Sequence, residues 1–178
     1  SAASDVYKRQ AYVCLQEVNA VAEIDIANAT VSRILPLGYK NFGEDGNGID
    51  ASDEDNRIDI RSRLGLFGIL QPDTVRIYQQ NGRRLLVTAN EGDSRVRPTS
   101  DDVVSGVEEG AVFEDEASLE DWPTAGTQFE NQIADTELGR IKLVRDLVDD
   151  HLDEKGRPTQ LFALSLIHIS EPTRRKHI

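Results

Sequence analysis

The strongest constraint on the fold is a phrase that occurs twice. Leu85-Leu86-Val87-Thr88-Ala89 is an apolar run that ends in the polar, glycine-containing cluster Asn90-Glu91-Gly92-Asp93-Ser94-Arg95. A buried strand that surfaces and turns has this form. Tyr12 to Ala20 (YVCLQEVNA) aligns position for position with Leu86 to Ser94 (LVTANEGDS). Both read as apolar, Val, small, apolar, amide, Glu, any residue, Asn or Asp, small. A strand-plus-turn unit written twice points to an all-β repeat architecture, in which one unit buries its faces only against another.

The rest of the chain fits around those two copies. Ala11–Gln16, Val21–Ile26 and Thr30–Leu35 read as three short strands of an antiparallel meander. Its second turn lies at Ala27-Asn28-Ala29, where Asn28 is expected to bond the backbone. Gly38 to Gln71 breaks the rhythm with glycines and acids and reads as a long ordered loop (insertion 38–70), with a short strand at Ile58 and Ile60. Strand spacing returns at Pro72–Gln79, and Asn81-Gly82 marks a tight hairpin into Arg84–Ala89. A second acidic insertion, 96–138, is expected to be anchored by burial of Trp122 beside Pro123. Gly139–Val144 reads as a strand, Asp146–Gly156 as an acidic connection, and Gln160–Ala163 as the start of a last strand. The blade-like repeats therefore fall near 11–35 and 71–95, with 139–144 in addition.

Both ends read as foreign to the fold. Asp5-Val6-Tyr7-Lys8-Arg9-Gln10 is what GAT-GTG-TAT-AAG-AGA-CAG encodes, and Leu164-Ser165-Leu166-Ile167-His168-Ile169 is what CTG-TCT-CTT-ATA-CAC-ATC encodes. The two strings are reverse complements and resemble the transposase end used to prepare sequencing libraries. On this reading residues 1–10 and 164–178 are adaptor translation, 11–163 is the native segment, and that segment is an internal piece of a longer reading frame.

Charge narrows the partners. The chain carries 20 Lys+Arg against 32 Asp+Glu, a formal charge of −12, and it is more acidic still without its ends. Nucleic acid and anionic lipid need a basic surface, so neither is expected as a partner. No run approaches the about 18 apolar residues of a membrane span. Cys14, the one cysteine, sits in an apolar run as a small hydrophobe with no disulfide partner or metal-ligand spacing. Outside the ends His151 is the only histidine. No nucleophile–base pair, glycine-rich phosphate loop or Gly-x-Ser-x-Gly elbow is visible, which argues against catalysis within this segment.

At Gln71–Arg95 the pattern becomes specific. Pro72-Asp73, a strand, Asn81-Gly82 and then VTANEGD resemble a blade of the YVTN, surface-layer type of β-propeller. AYVCLQEVNAVAEID (11–25), ILPLGYK (34–40), GNGIDASDED (46–55), QPD (71–73), VTANEGDSR (87–95) and LGRIK (138–142) come in the order seen in the choice-of-anchor I family, which includes relatives of mesenchyme-specific cell-surface glycoproteins. The resemblance implies a secreted, periplasmic or surface-anchored partial β-propeller of about two blades with long acidic loop insertions. Its partners would be an extracellular ligand or surface polymer and the remainder of its own ring. Some relatives carry phosphatase-like labels, so the alternative is part of a metal-dependent phosphoesterase whose other ligands lie outside this segment. The chain departs from the family pattern at Gly65-Leu66-Phe67-Gly68, where relatives have a Trp-Pro phrase. It departs again at Asp146–Glu154, which lacks the regular Asp-Gly alternation.

Two groups of candidate site residues follow. Glu17, Asp73, Asn90, Glu91 and Asp93 fall at strand ends or turns of the repeats, where a propeller's rim binds ligands. The bland reading is that Asp73 and Asp93 bond nearby backbone amides, that Gly92 supplies a left-handed turn, and that Asp93 pairs with Arg95. Asp50, Asp53 and Asp55 crowd carboxylates as a Ca²⁺ loop would, calcium being the candidate cofactor, although the stretch fails the helix-loop-helix spacing. The alternative there is a solvated acidic loop.

Overall fold

The computed structural model describes residues 10–98, 112–164 and 176–177. In chain order its first strands are β1 (Gln10–Leu15), β2 (Ala20–Asp25), β3 (Thr30–Pro36), β4 (Tyr39–Asn41), β5 (Leu66–Ile69), β6 (Pro72–Gln80) and β7 (Arg83–Asn90). β8 (Val96–Pro98), β9 (Val112–Glu114), β10 (Glu116–Ala117), β11 (Leu143–Val144), β12 (Leu161–Ala163) and β13 (Lys176–His177) follow. One short helix, α1 (Arg145–Asp149), separates β11 from β12. The fold is all-β, and among the described residues no helix is long and apolar enough to cross a membrane. The chain divides into two compact units, one holding 10–38, 70–92 and 176–177, the other 39–69 and 93–164.

The first unit holds the first copy of the repeated phrase and the second as far as Gly92, in separate sheets. β1, β2 and β3 form the expected antiparallel meander, and β13, β7 and β6 form a second three-stranded sheet. The β1–β2 connection is a single 3-10 turn, Gln16–Val18, closed by Asn19 in the left-handed region at φ 51°. Asparagine tolerates that conformation better than most side chains. In the β2–β3 turn the bonding centre is Asp25, not Asn28. Asp25 Oδ1 accepts the N–H groups of Ala27 (2.9 Å) and Asn28 (3.2 Å), while the Asn28 amide donates to Oδ2 (2.7 Å). An ionised carboxylate outcompetes an amide oxygen for turn N–H groups. Gln80 pairs with Arg83 across Asn81 (φ 52°) and Gly82 (φ 74°), the two-residue hairpin that Asn-Gly favours.

Val21, Leu37 and Leu86 form the unit's small core, with Tyr12, Leu70 and Val75 packed against it. Tyr12 and Leu86, matched positions of the repeated phrase, thus feed one core from two sheets. Beside it lies a buried carboxylate, Glu23, only 4% exposed. Arg33 donates Nε (3.0 Å) and Nη2 (2.7 Å) to it, and the Tyr12 hydroxyl (3.0 Å) and Gln10 amide (3.1 Å) complete its bonding.

The second unit is built on a five-stranded sheet in the order β10-β11-β12-β5-β4. Its other neighbours are antiparallel, but β12 runs parallel to β5, with Leu161, Phe162 and Ala163 opposite Leu66, Phe67 and Gly68. A pure meander is therefore not the whole architecture, and the ends of the expected 38–70 insertion are strands of this sheet. Leu66, Leu119, Phe129, Leu138, Leu143, Leu161 and Phe162 fill the core. Phe162 touches the rings of Tyr39, Phe67 and His151 at centroid distances of 5.0, 5.5 and 4.8 Å.

Three local expectations change here. Ile58 and Ile60 form no strand; they are 86% and 66% exposed, and the nearest pairing is an isolated bridge between Ile49 and Arg61. Of 139–144 only Leu143–Val144 is strand, because turns consume the preceding backbone. Gly139 N–H bonds Ala134 O (3.0 Å) and Ile141 N–H bonds Leu138 O (3.1 Å). The start of the acidic 146–156 connection is helical, within α1. Trp122 is buried as expected, with its indole N–H donating to Asp149 Oδ1 at 2.7 Å. Of the ends read as adaptor, Gln10 opens β1, Leu164 is buried in the core, and Lys176–His177 pair with β7. Residues 1–9, 165–175 and 178 lie outside the described residues.

Two substitutions separate packing from backbone effects. Phe162→Ala is expected to remove about 3–5 kcal/mol of stability by opening a cavity where three rings meet. Gly82→Val meets open space and is expected to lose only about 1–2 kcal/mol, through the left-handed backbone alone. Urea unfolding of each variant measures both, and equal losses would contradict this division.

Candidate functional site

The ends of the first unit's strands gather most of the rim candidates. β1 ends, β2 begins, β6 begins and β7 ends here, so Gln16, Glu17, Asn19, Gln71, Asp73, Asn90 and Glu91 come to one edge. The edge is cross-bonded. The Gln16 amide donates to Glu91 Oε2 (2.6 Å), Asn19 Oδ1 accepts the Gln71 N–H (2.9 Å), and the Asn19 amide donates to the Gly38 carbonyl (2.8 Å). The Glu91 N–H in turn bonds the Gln71 carbonyl at 3.1 Å. Glu17, Asp73 and Glu91 are exposed. Asp73 accepts the Thr74 hydroxyl (3.2 Å) rather than a backbone amide. Burial and then the nearby Asp73 carboxylate push the Cys14 thiol up, away from the reactive thiolate. Cys14 is half-buried rather than fully enclosed.

Asp93 and Arg95 belong to the second unit and do not pair with each other. Asp93 Oδ1 accepts the Ser94 N–H (2.8 Å), the turn-fixing role, and Gly92 at the end of the first unit's segment has the expected positive φ of 64°. Arg95 instead donates Nε to Asp115 Oδ2 (2.8 Å) and Nη2 to Asp115 Oδ2 and Asp146 Oδ2. Asp115, 1% exposed, also accepts the Asp146 N–H at 3.2 Å. This buried Asp–Arg pair was not identified from sequence, where Asp115 was one acid in an acidic run. Only the arginine at the end of the repeated phrase hinted that a carboxylate partner was needed.

The acidic loop does not gather its carboxylates around one point. Asp53 Oδ1 accepts Arg140 Nη1 (2.9 Å), Asp55 accepts the N–H and Nε of Arg57 (both 3.1 Å), and Asp50 Oδ2 accepts the Asp59 N–H (3.2 Å). Arg57 and Arg61 also reach Asp59, so guanidinium groups neutralise the loop from within. Among the described residues no three His, Cys, Asp or Glu side chains form a metal-binding group. His151 is structural here: Nδ1 donates to the Leu147 carbonyl at 2.8 Å and the ring packs on Phe162.

The sequence model of the choice-of-anchor I domain matches residues 2–165. No curated protein and no solved structure matches the chain.

Paired carboxylates set the acid response. The Arg63 and then the Arg61 guanidinium hold Glu137 below its ordinary value, Arg33 does so for Glu23, and Arg157 holds Asp153 down to about 2. Folded values below unfolded ones contribute stability that is full above about pH 4.5 and is lost as pH falls toward 2. Glu23→Gln and Asp153→Asn are each expected to flatten that decline. Denaturation midpoints between pH 6 and 2.5 check this, and an unchanged slope in both variants would refute it.

Proposed function

Because the chain belongs to the choice-of-anchor I domain family, we propose that this surface-associated module is a non-catalytic binding or structural part of a secreted or cell-surface protein. We read its sheets as blades of a partial β-propeller that further blades complete. The packing of the first unit supports this reading. The β1–β3 sheet shares a core with the β6–β7 sheet, yet Val13 and Ile34, which flank Ala22 in register, remain exposed. Exposed apolar positions on a sheet are where a neighbouring sheet gains most by docking.

The observation that carries a binding role is the strand-end cluster. Strand ends bring Glu17, Asp73 and Glu91 to one exposed edge, and the Gln16–Glu91 bond stiffens it. A fixed row of carboxylates and amides recognises hydroxyl- or amine-bearing groups of an extracellular ligand or surface polymer at little ordering cost. His151, the one described histidine outside the adaptor-read ends, is committed to a backbone carbonyl and a ring.

Sedimentation of the purified chain with a panel of insoluble extracellular polysaccharides tests the reading. At least one is expected to retain it, and Asp73→Asn combined with Glu91→Gln, assayed in chelator, is expected to weaken retention about tenfold without moving the unfolding midpoint measured in the same buffer. Chelator-sensitive hydrolysis of phosphoesters by the same preparation would favour the phosphoesterase alternative and overturn the proposal.

A further inference from the structure

Two buried side-chain oxygens at the strand-end edge have no hydrogen-bond partner: Gln71 Oε1 and Asn90 Oδ1. They belong to neighbouring positions of one ladder. Gln71 immediately precedes Pro72, which pairs with Asn90. Gln71 is 4% exposed, and its main chain is held at both polar groups, with N–H to Asn19 Oδ1 and carbonyl to the Glu91 N–H. It also has a φ of 39°, in the left-handed region that a glutamine rarely adopts. An unpaired buried acceptor destabilises the fold that contains it. Two of them beside a strained, doubly anchored backbone are expected where something else completes the bonding.

The chemistry of the missing partner follows from what surrounds it. The orphaned atoms are both amide oxygens. The ionised side chains of the same segments, Glu17, Asp73 and Glu91, are all negative, and 16–20, 70–74 and 88–92 contain no Lys or Arg. An anion is therefore disfavoured. Amide carbonyls with a carboxylate are what a hard divalent cation of calcium's size takes as ligands. We propose that Gln71, Asn90 and Glu91 contribute ligands to a calcium site at the strand ends of the first unit. The acidic loop is the poorer candidate. Asp50 Oδ1 is also unpartnered there, but Asp53 and Asp55 already hold arginines. This site does not depend on whether the exposed edge binds a polymer.

Thermal unfolding of the full chain in calcium chloride or chelator provides the test. For an affinity in the range of extracellular modules, about 10 mM Ca²⁺ is expected to raise Tm by roughly 3–6 °C. Gln71→Met, which keeps shape and removes the acceptor, is expected to abolish the rise, whereas Asp50→Asn keeps it. Asn90→Asp is expected to lower the half-saturating calcium concentration at least fivefold by adding a charge, and it serves if Gln71→Met does not fold. No rise in the parent chain, as an interior water in place of the ion would give, overturns the proposal. So does a rise that survives Gln71→Met, one lost only in Asp50→Asn, or an Asn90→Asp variant with unchanged calcium dependence.

Discussion

The second unit depends on one short parallel contact, three residues of β12 laid beside β5. Leu161, Phe162 and Ala163 meet Leu66, Phe67 and Gly68 there, and most of these side chains are enclosed. A parallel pair buried on both faces must be apolar throughout, because no solvent face exists to take a polar residue. A Cβ on Gly68 would approach the Phe42 ring to 2.8 Å, so the absent side chain makes room for that ring. Tyr39, Phe67 and His151 then converge on Phe162, and the remaining strands add to a centre already fixed.

The acidity of the chain has a structural use that composition hides. Many of the carboxylates that looked like a solvated surface are engaged by arginines far away in sequence: Glu137 by Arg61 and Arg63, Asp115 by Arg95, Asp53 by Arg140. Exposed pairs of this kind contribute little singly. Arg63 and Asp115 are different, because both are buried, and removing either partner strands a charge away from water. The long segments between strands are thus held by ion pairs and by Trp122 rather than by ladders.

Features written within a few residues were legible in the sequence. The Asn81-Gly82 hairpin, the β1–β3 meander and the burial of Trp122 each follow from local chemistry, and the family resemblance followed from ordered phrases. Features that need a distant partner were not. Nothing in GLFGI or QLFAL indicates that the two runs lie side by side, since short apolar runs carry no address. The turn acceptor was assigned to Asn28 because asparagine is common in turns, while Asp25 at the strand end was the stronger acceptor. At the candidate site the charged members stood out, whereas Gln71 did not. A neutral amide has no pattern, and its left-handed backbone is visible only in coordinates.

The strand order also sets a timetable for the chain as it is made. β1, β2, β3, β6 and β7 are complete by residue 90, so the meander and the β6–β7 hairpin of the first unit can close early around Val21 and Leu86, with β13 added last. The second unit begins at residue 39 but waits for β12 at 161–163 to fill the middle of its sheet. Until then β5 and β11 present open edges and Leu66 has no neighbour on that side. Contacts separated by so much chain form slowly, and waiting edges of this kind are where nascent chains recruit chaperones or one another.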